Sequence, residues 1–185
     1  MTSHDRNVCV FCGSRRGHNG HFVEIARDLG RSIANANLGL VYGAGDHGLM
    51  GEVAHAAKDV GGRVTGFIPR HLLELEVGNH AIDALIVTET MHERKKMMFS
   101  NSDIVVALPG GPGTLDELIE VLTWRHLGLH HRTTILLNAD DYWGPLLALL
   151  DHMRNEGFVD GAFQDYLTVV ETVEETLAAI SDAFS

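Results

Sequence analysis

Short apolar runs and longer amphipathic stretches alternate along the whole chain of 185 residues. The apolar runs, each bounded by glycine or polar residues, predict strands over residues 8–12, 38–42, 64–68, 84–87, 104–108, 134–137 and 167–170. Between the first two, Phe22, Ile25, Ala26, Leu29 and Ile33 recur at helical spacing, with Glu24, Arg27, Asp28 and Arg31 on the opposite side. Further helices are predicted over 49–60, 91–101, 114–127, 142–156 and 173–184. Strands alternating with helices imply an α/β fold: a Rossmann-like, doubly wound, mainly parallel sheet of about seven strands flanked by helices. No repeat or Pro/Gly-rich linker divides the chain, so 1–185 is expected to form a single nucleotide-binding catalytic domain. Such sheets take ligands in the crevice at the carboxyl ends of their strands.

Composition narrows the function classes. Apolar residues make up 45% and charged residues 21%, and no apolar stretch reaches the ~18–20 residues of a membrane span. The opening residues lack the basic start and cleavage site of a signal peptide, so a cytoplasmic protein without membrane partners is expected. A net charge of −11 argues against nucleic acid held through its phosphates. The two cysteines form Cys9-Val10-Phe11-Cys12 inside a predicted strand. An odd separation there points the thiols to opposite faces, which favours core residues over a redox or zinc pair. The twelve histidines form no HxxxH or HExxH pattern on a helix, and neither metal nor cofactor is expected.

Three predicted strands run into glycine-bearing turns. These are Cys12-Gly13-Ser14-Arg15-Arg16-Gly17, Gly43-Ala44-Gly45-Asp46-His47-Gly48 and Pro109-Gly110-Gly111-Pro112-Gly113-Thr114. Glycine lets backbone amides approach a phosphate, and the following helix N-terminus adds a positive dipole end. A phosphorylated ligand is the economical reading, with Gly13, Ser14, Gly43, Gly45 and Gly48 among its contacts. The second turn also fits GxGxxG, but a dinucleotide fold would place an acid at the end of the next strand. Arg63-Val64-Thr65-Gly66-Phe67-Ile68 stands there, which argues against hydride transfer.

After the third turn, Leu115, Leu118, Ile119 and Leu122 are expected to face the core, which leaves Glu117 nearly opposite and exposed. Its place one turn from a phosphate cradle makes it a catalytic candidate. If it faces outward, a second subunit is needed to shield it from water. In Met91-His92-Glu93-Arg94-Lys95, Arg94 offers a two-pronged phosphate contact and Lys95 a point charge.

The segment Pro109-Gly110-Gly111-Pro112-Gly113-Thr114-Leu115-Asp116-Glu117 resembles the PGGxGTxxE signature of LONELY GUY (LOG) proteins, and Met91–Lys95 resembles their companion Arg-Lys segment. Val10-Phe11-Cys12-Gly13-Ser14, Val41–Gly45, Gly48–Gly51 and Thr123-Trp124 extend the likeness over about the whole chain. Pro112, Ala44, Arg15 and Arg16 depart from what family members often carry, namely an aromatic residue, a glycine and serines. The resemblance implies cleavage of cytokinin riboside 5′-monophosphates or AMP by water to free base and ribose 5-phosphate. It makes Arg94 catalytic and assigns nucleotide contacts to Lys95, Pro109, Gly110, Gly111, Gly113, Thr114 and Thr123, and a further ligand contact to Glu76. Asp116 is a candidate to assist protonation of the leaving base, with helix capping or solvation as alternatives. The resemblance also implies a homodimer with sites near the interface. Such proteins often carry a lysine decarboxylase label, but no convincing pyridoxal-phosphate lysine is found. The competing reading is a noncatalytic carrier of a nucleotide or of a pterin cofactor of the molybdenum-cofactor type, and Arg94 with Glu117 favours the enzyme.

Overall fold

The seven apolar runs pair into one sheet, whose five inner strands are apolar on both faces and need cover from both sides. A computed structural model describes residues 6–73 and 82–185. Its strands are β1 (Asn7–Phe11), β2 (Gly39–Tyr42), β3 (Val64–Pro69), β4 (Ala84–Thr88), β5 (Ile104–Ala107), β6 (Thr134–Leu137) and β7 (Leu167–Val170). They run parallel throughout in the order β4-β3-β2-β1-β5-β6-β7. The strand order therefore reverses between β1 and β5, and the crevice of a doubly wound sheet opens at such a switch point. The first and third glycine turns follow these two strands.

Helices α1 (His21–Asn35), α2 (Gly48–Asp59) and α7 (Val173–Ala183) cover one face of the sheet. Helices α4 (Met91–Ser100), α5 (Pro112–His126) and α6 (Gly144–Asn155) cover the other, while the four-residue α3 (Arg70–Leu73) follows β3. Alternation along β1 sends Val8, Val10 and Cys12 into the first core and Cys9 and Phe11 into the second. The thiols thus lie on opposite faces, free and buried, and burial pushes both above the ordinary thiol range. Among the described residues, no helix is long and apolar enough to cross a membrane.

Two helix starts differ from the sequence reading. Helix α5 begins at Pro112, whose missing N–H costs nothing in a first turn, so Gly113 lies inside the helix. Helix α6 begins at Gly144, because Asp140 and Asp141 take left-handed backbone angles (φ 53° and 55°) in the short turn before it.

The buried face of α5 also differs. Thr114, Glu117, Leu118, Val121 and Leu122 face inward, whereas Leu115 is 37% exposed. Leu118 and Leu122 belong to both possible stripes, so spacing alone does not separate them. The expectation of an outward Glu117 is overturned: it is 9% exposed, and its own chain covers it. The argument that a second subunit must shield this residue falls with it.

Candidate active site

The three glycine turns meet at the strand ends. Gly13 donates its N–H to the Pro109 carbonyl at 3.1 Å, and its own carbonyl accepts from the amides of Leu49 (2.9 Å) and Met50 (3.3 Å). The first turn is thereby joined to both the others. This bonding also distinguishes them, because Gly13 already satisfies amides in the first turn of α2. At α5, by contrast, Gly111 occupies the cap position and has no side chain to bond the helix. The amides of Gly113 and Thr114 have no partner within the helix and remain available to an anion.

Gly48 explains why the second turn holds the first in place. Its φ is +64°, and a Cβ there would lie 2.2 Å from the Ser14 carbonyl carbon and 2.4 Å from the Arg15 nitrogen. Both are backbone atoms and neither yields cheaply. Gly48→Ala is expected to destabilise the chain by about 2–4 kcal/mol, from left-handed strain together with displacement of the first turn. Urea unfolding would check this; a loss below 0.5 kcal/mol would mean that the two turns are not in close contact.

Gly43 meets Arg94. The Arg94 Nη2 donates to the Gly43 carbonyl at 3.0 Å, and a Cβ on Gly43 would overlap the guanidinium. Arg94 enters from the first turn of α4, where the Thr90 side chain accepts the Glu93 amide at 3.0 Å and starts the helix. It shares the inward face of α4 with Met98, four residues on, and is only 6% exposed. Its Nε is buried without a hydrogen-bond partner among the described residues. An unmet buried charged donor is an exception among buried polar groups and makes Arg94 a candidate for the site.

Glu117 lies within reach of the same charge. Burial raises its pKa from 4.5 to about 7, against the pull of the Arg94 guanidinium. Asp116 and Glu120 push in the same direction as burial, and Lys95 opposes them. The Arg94 hydrogen bond goes to Gly43, so its charge acts on Glu117 through space. A carboxyl raised towards neutrality beside a buried cation makes the pair a candidate for chemistry.

Lys95 is engaged elsewhere. It forms ion pairs with Asp116 at 2.9 Å and Glu120 at 3.1 Å on α5. Burial works against its charge, but these hydrogen bonds outweigh it and hold the ammonium above the ordinary lysine range. Thr123 lies exposed further along α5 and donates to the Ile119 carbonyl at 2.7 Å. Lys95, Asp116 and Glu120 therefore form an ion-paired group, and Thr123 bonds only within its own helix. Glu76 lies outside the described residues.

A cleft of about 750 Å³ opens over the first and third turns, the size of a nucleotide-scale pocket. Gly13, Ser14, Pro109, Gly110 and Gly111 line it; Gly43, Gly45, Gly48, Arg94 and Glu117 do not. Sequence reasoning missed several of its walls. Tyr142 lines it and donates its hydroxyl to the Gly110 carbonyl at 2.6 Å, and Phe22 stands edge-on to Tyr142 at 5.4 Å. In the sequence both look like ordinary helix residues, so neither signals the cleft. Among the described residues, no group of three or more His, Cys, Asp or Glu side chains is placed to hold a metal ion.

Known proteins share this arrangement of turns and strands. A family model described as possible lysine decarboxylase matches residues 50–180. A probable cytokinin riboside 5′-monophosphate phosphoribohydrolase of Oryza sativa subsp. japonica is 42% identical over 178 residues, 96% of this chain and 77% of that protein. A cytokinin riboside 5′-monophosphate phosphoribohydrolase of Rhodococcoides fascians is 43% identical over 176 residues, 95% of this chain and 89% of that protein. The chain belongs to the LOG family. The segment Pro109 to Glu117 runs from the turn after β5 into the first turns of α5. Ala44, where LOG proteins often have glycine, takes a left-handed φ of 59°, a conformation that favours glycine. Among solved structures, the molybdenum cofactor binding protein of Rippkaea orientalis is similar, with a TM-score of 0.76 at 22% identity over 99% of this chain and all of that one. Likeness at that identity shows the fold alone.

Proposed function

We propose that this LOG-family chain hydrolyses the N-glycosidic bond of cytokinin riboside 5′-monophosphates, of AMP, or of both, as its relatives' names imply. The observation that carries the reading is the buried Glu117, with its pKa near 7, next to the buried Arg94. The 5′-phosphate binds at the open amides of α5, close to Gly110, Gly111, Gly113 and Thr114, with Gly13 and Ser14 opposite. The ribose C1′ then sits on the Glu117 side. As the bond to the base breaks, positive charge grows on C1′ and the ring oxygen, and the Glu117 carboxylate stabilises it. Glu117 also orients the attacking water, whose hydroxyl joins C1′ while its proton leaves for solvent or the base. The base nitrogen takes up a proton, and Asp116 is the candidate to assist. Arg94 supplies the positive charge that favours an oxygen of the sugar phosphate. Gly43 fixes the arginine's position, and Gly45 and Gly48 brace the turn behind it. Lys95 and Thr123 add contacts from α4 and α5, and Glu76 is a further candidate ligand contact.

The decisive experiment incubates the protein with AMP and with isopentenyladenosine monophosphate and separates bases from nucleotides. Release of free base is expected, and the ratio of the two rates identifies the preferred substrate. Nucleotides that bind but return intact would point instead to a noncatalytic carrier.

The reading includes a homodimer with sites near its interface and a cytoplasmic location. Leu127 and Leu129, 64% and 69% exposed at the end of α5, are apolar surface of the kind that subunits bury. Sedimentation equilibrium is expected to give twice the chain mass, and Leu127→Asp with Leu129→Asp to give the monomer. A monomeric parent protein would refute the dimer.

A further inference from the structure

Arg94 and Glu117 stand on different helices, so the docking of α4 on α5 sets how they face each other. Both helices cover the same face of the sheet. Towards their carboxyl ends, the rings of Phe99 on α4 and Trp124 on α5 meet edge-on at 5.2 Å. At the opposite end, where the reacting pair lies, the tie is ionic. Lys95, the residue after Arg94, places its ammonium 2.9 Å from Asp116, just before Glu117, and 3.1 Å from Glu120, one turn after it.

The two carboxylates are not equivalent. The Asp116 side chain is 61% exposed, whereas those of Lys95 and Glu120 are 12% and 18% exposed. An exposed ion pair contributes little, while a pair largely withdrawn from water leaves an uncompensated charge when one partner goes. Glu120 is therefore the firm anchor and Asp116 the arm that can let go. The other Glu120 oxygen lies 3.8 Å from Nδ1 of the exposed His92, so one carboxylate reaches residues on either side of Arg94 in the first turn of α4.

We propose that Glu120 is a positioning residue for the reaction: through Lys95 it holds the first turn of α4 against α5, and so keeps Arg94 and Glu117 at the separation the chemistry requires. The inference rests on the reading of Arg94 and Glu117 as the reacting pair. Glu120 acts through Lys95 and not on the substrate. A misplacement of about 1 Å between reacting groups costs on the order of 10²-fold in rate, so loosening such a clamp is felt in kcat.

Steady-state kinetics test this with whichever of AMP and isopentenyladenosine monophosphate the parent cleaves faster. Rates are taken at pH 9, above the range in which Glu117, with its pKa of about 7, titrates. Glu120→Gln should lower kcat roughly tenfold and leave KM within about threefold, because the amides of α5 that take the phosphate are unchanged. Saturation at a KM close to the parent's shows that the variant is folded. In a Lys95→Met background the same substitution should change kcat by less than about twofold, since the clamp is already cut. Glu120→Asp keeps the charge on a shorter arm and should recover part of kcat; it carries the same comparison if the glutamine variant does not fold. An equal loss of kcat in both backgrounds would mean that the Glu120 charge acts directly on the sugar, and overturns the inference. A loss confined to KM, or no loss, overturns it too and leaves the phosphoribohydrolase reading standing. A parent that releases base from neither nucleotide brings down that reading and this inference together.

Discussion

Glu117→Gln is expected to abolish release of free base while making the protein more stable at pH 8. The catalytic part follows from charge: an amide neither stabilises a cationic sugar nor orients water as a carboxylate does. The stability part follows from burial, which raises this carboxyl from 4.5 to about 7 on folding. A raised carboxyl favours the folded state fully below pH 4.5, and that advantage is lost as pH rises through 7. Above pH 7 the chain therefore carries an ionised buried group at a cost of roughly 3 kcal/mol, which a neutral glutamine avoids. Urea unfolding of both proteins at pH 5 and pH 8 separates the claims. The variant should gain stability at pH 8 relative to the parent and little at pH 5. A variant that still releases base would remove Glu117 from the mechanism, while leaving family membership intact.

Arg94→Gln should lower kcat/KM by roughly 10²–10³-fold, the range for loss of one charged donor at a reacting centre. Its pH profile is the more discriminating readout. The Arg94 charge holds the Glu117 pKa down, so removing it lets burial push the carboxyl further up. The parent should show an acid limb in kcat/KM near pH 7, where Glu117 ionises. In the variant that limb should move to higher pH. A limb at the same pH in both proteins would mean that another group controls the reaction.

The two predictions depend on a placement that the residue pattern reads the other way. Leu115, Leu118, Ile119 and Leu122 make a plausible apolar stripe, and an acid in the first turn of a helix ordinarily faces solvent. Val121 completes a second stripe with Leu118 and Leu122, and Glu117 lies at its edge. The choice between them was made by how α5 docks on the sheet after Pro112. The glycine turns show a similar limit. Their sequences look alike, yet the Gly13 carbonyl occupies the first turn of α2 and leaves α5 open.

Strand number, parallel alternation, the opposed thiols and membership of the LOG family were all legible in the sequence, because each depends on periodicity or on contiguous residues. The expected helix starts were close, missing by two residues where Pro112 and Asp140–Asp141 set the local backbone. Only the tertiary structure decided the rest: the burial of Glu117, the hold of Gly43 on Arg94 51 residues away, and the sharing of Glu52 between Arg16 and Arg27. These contacts join segments distant in the chain. Their energies come from burial and unpaired donors at points where strands end together, and no local spacing of residue types records that meeting.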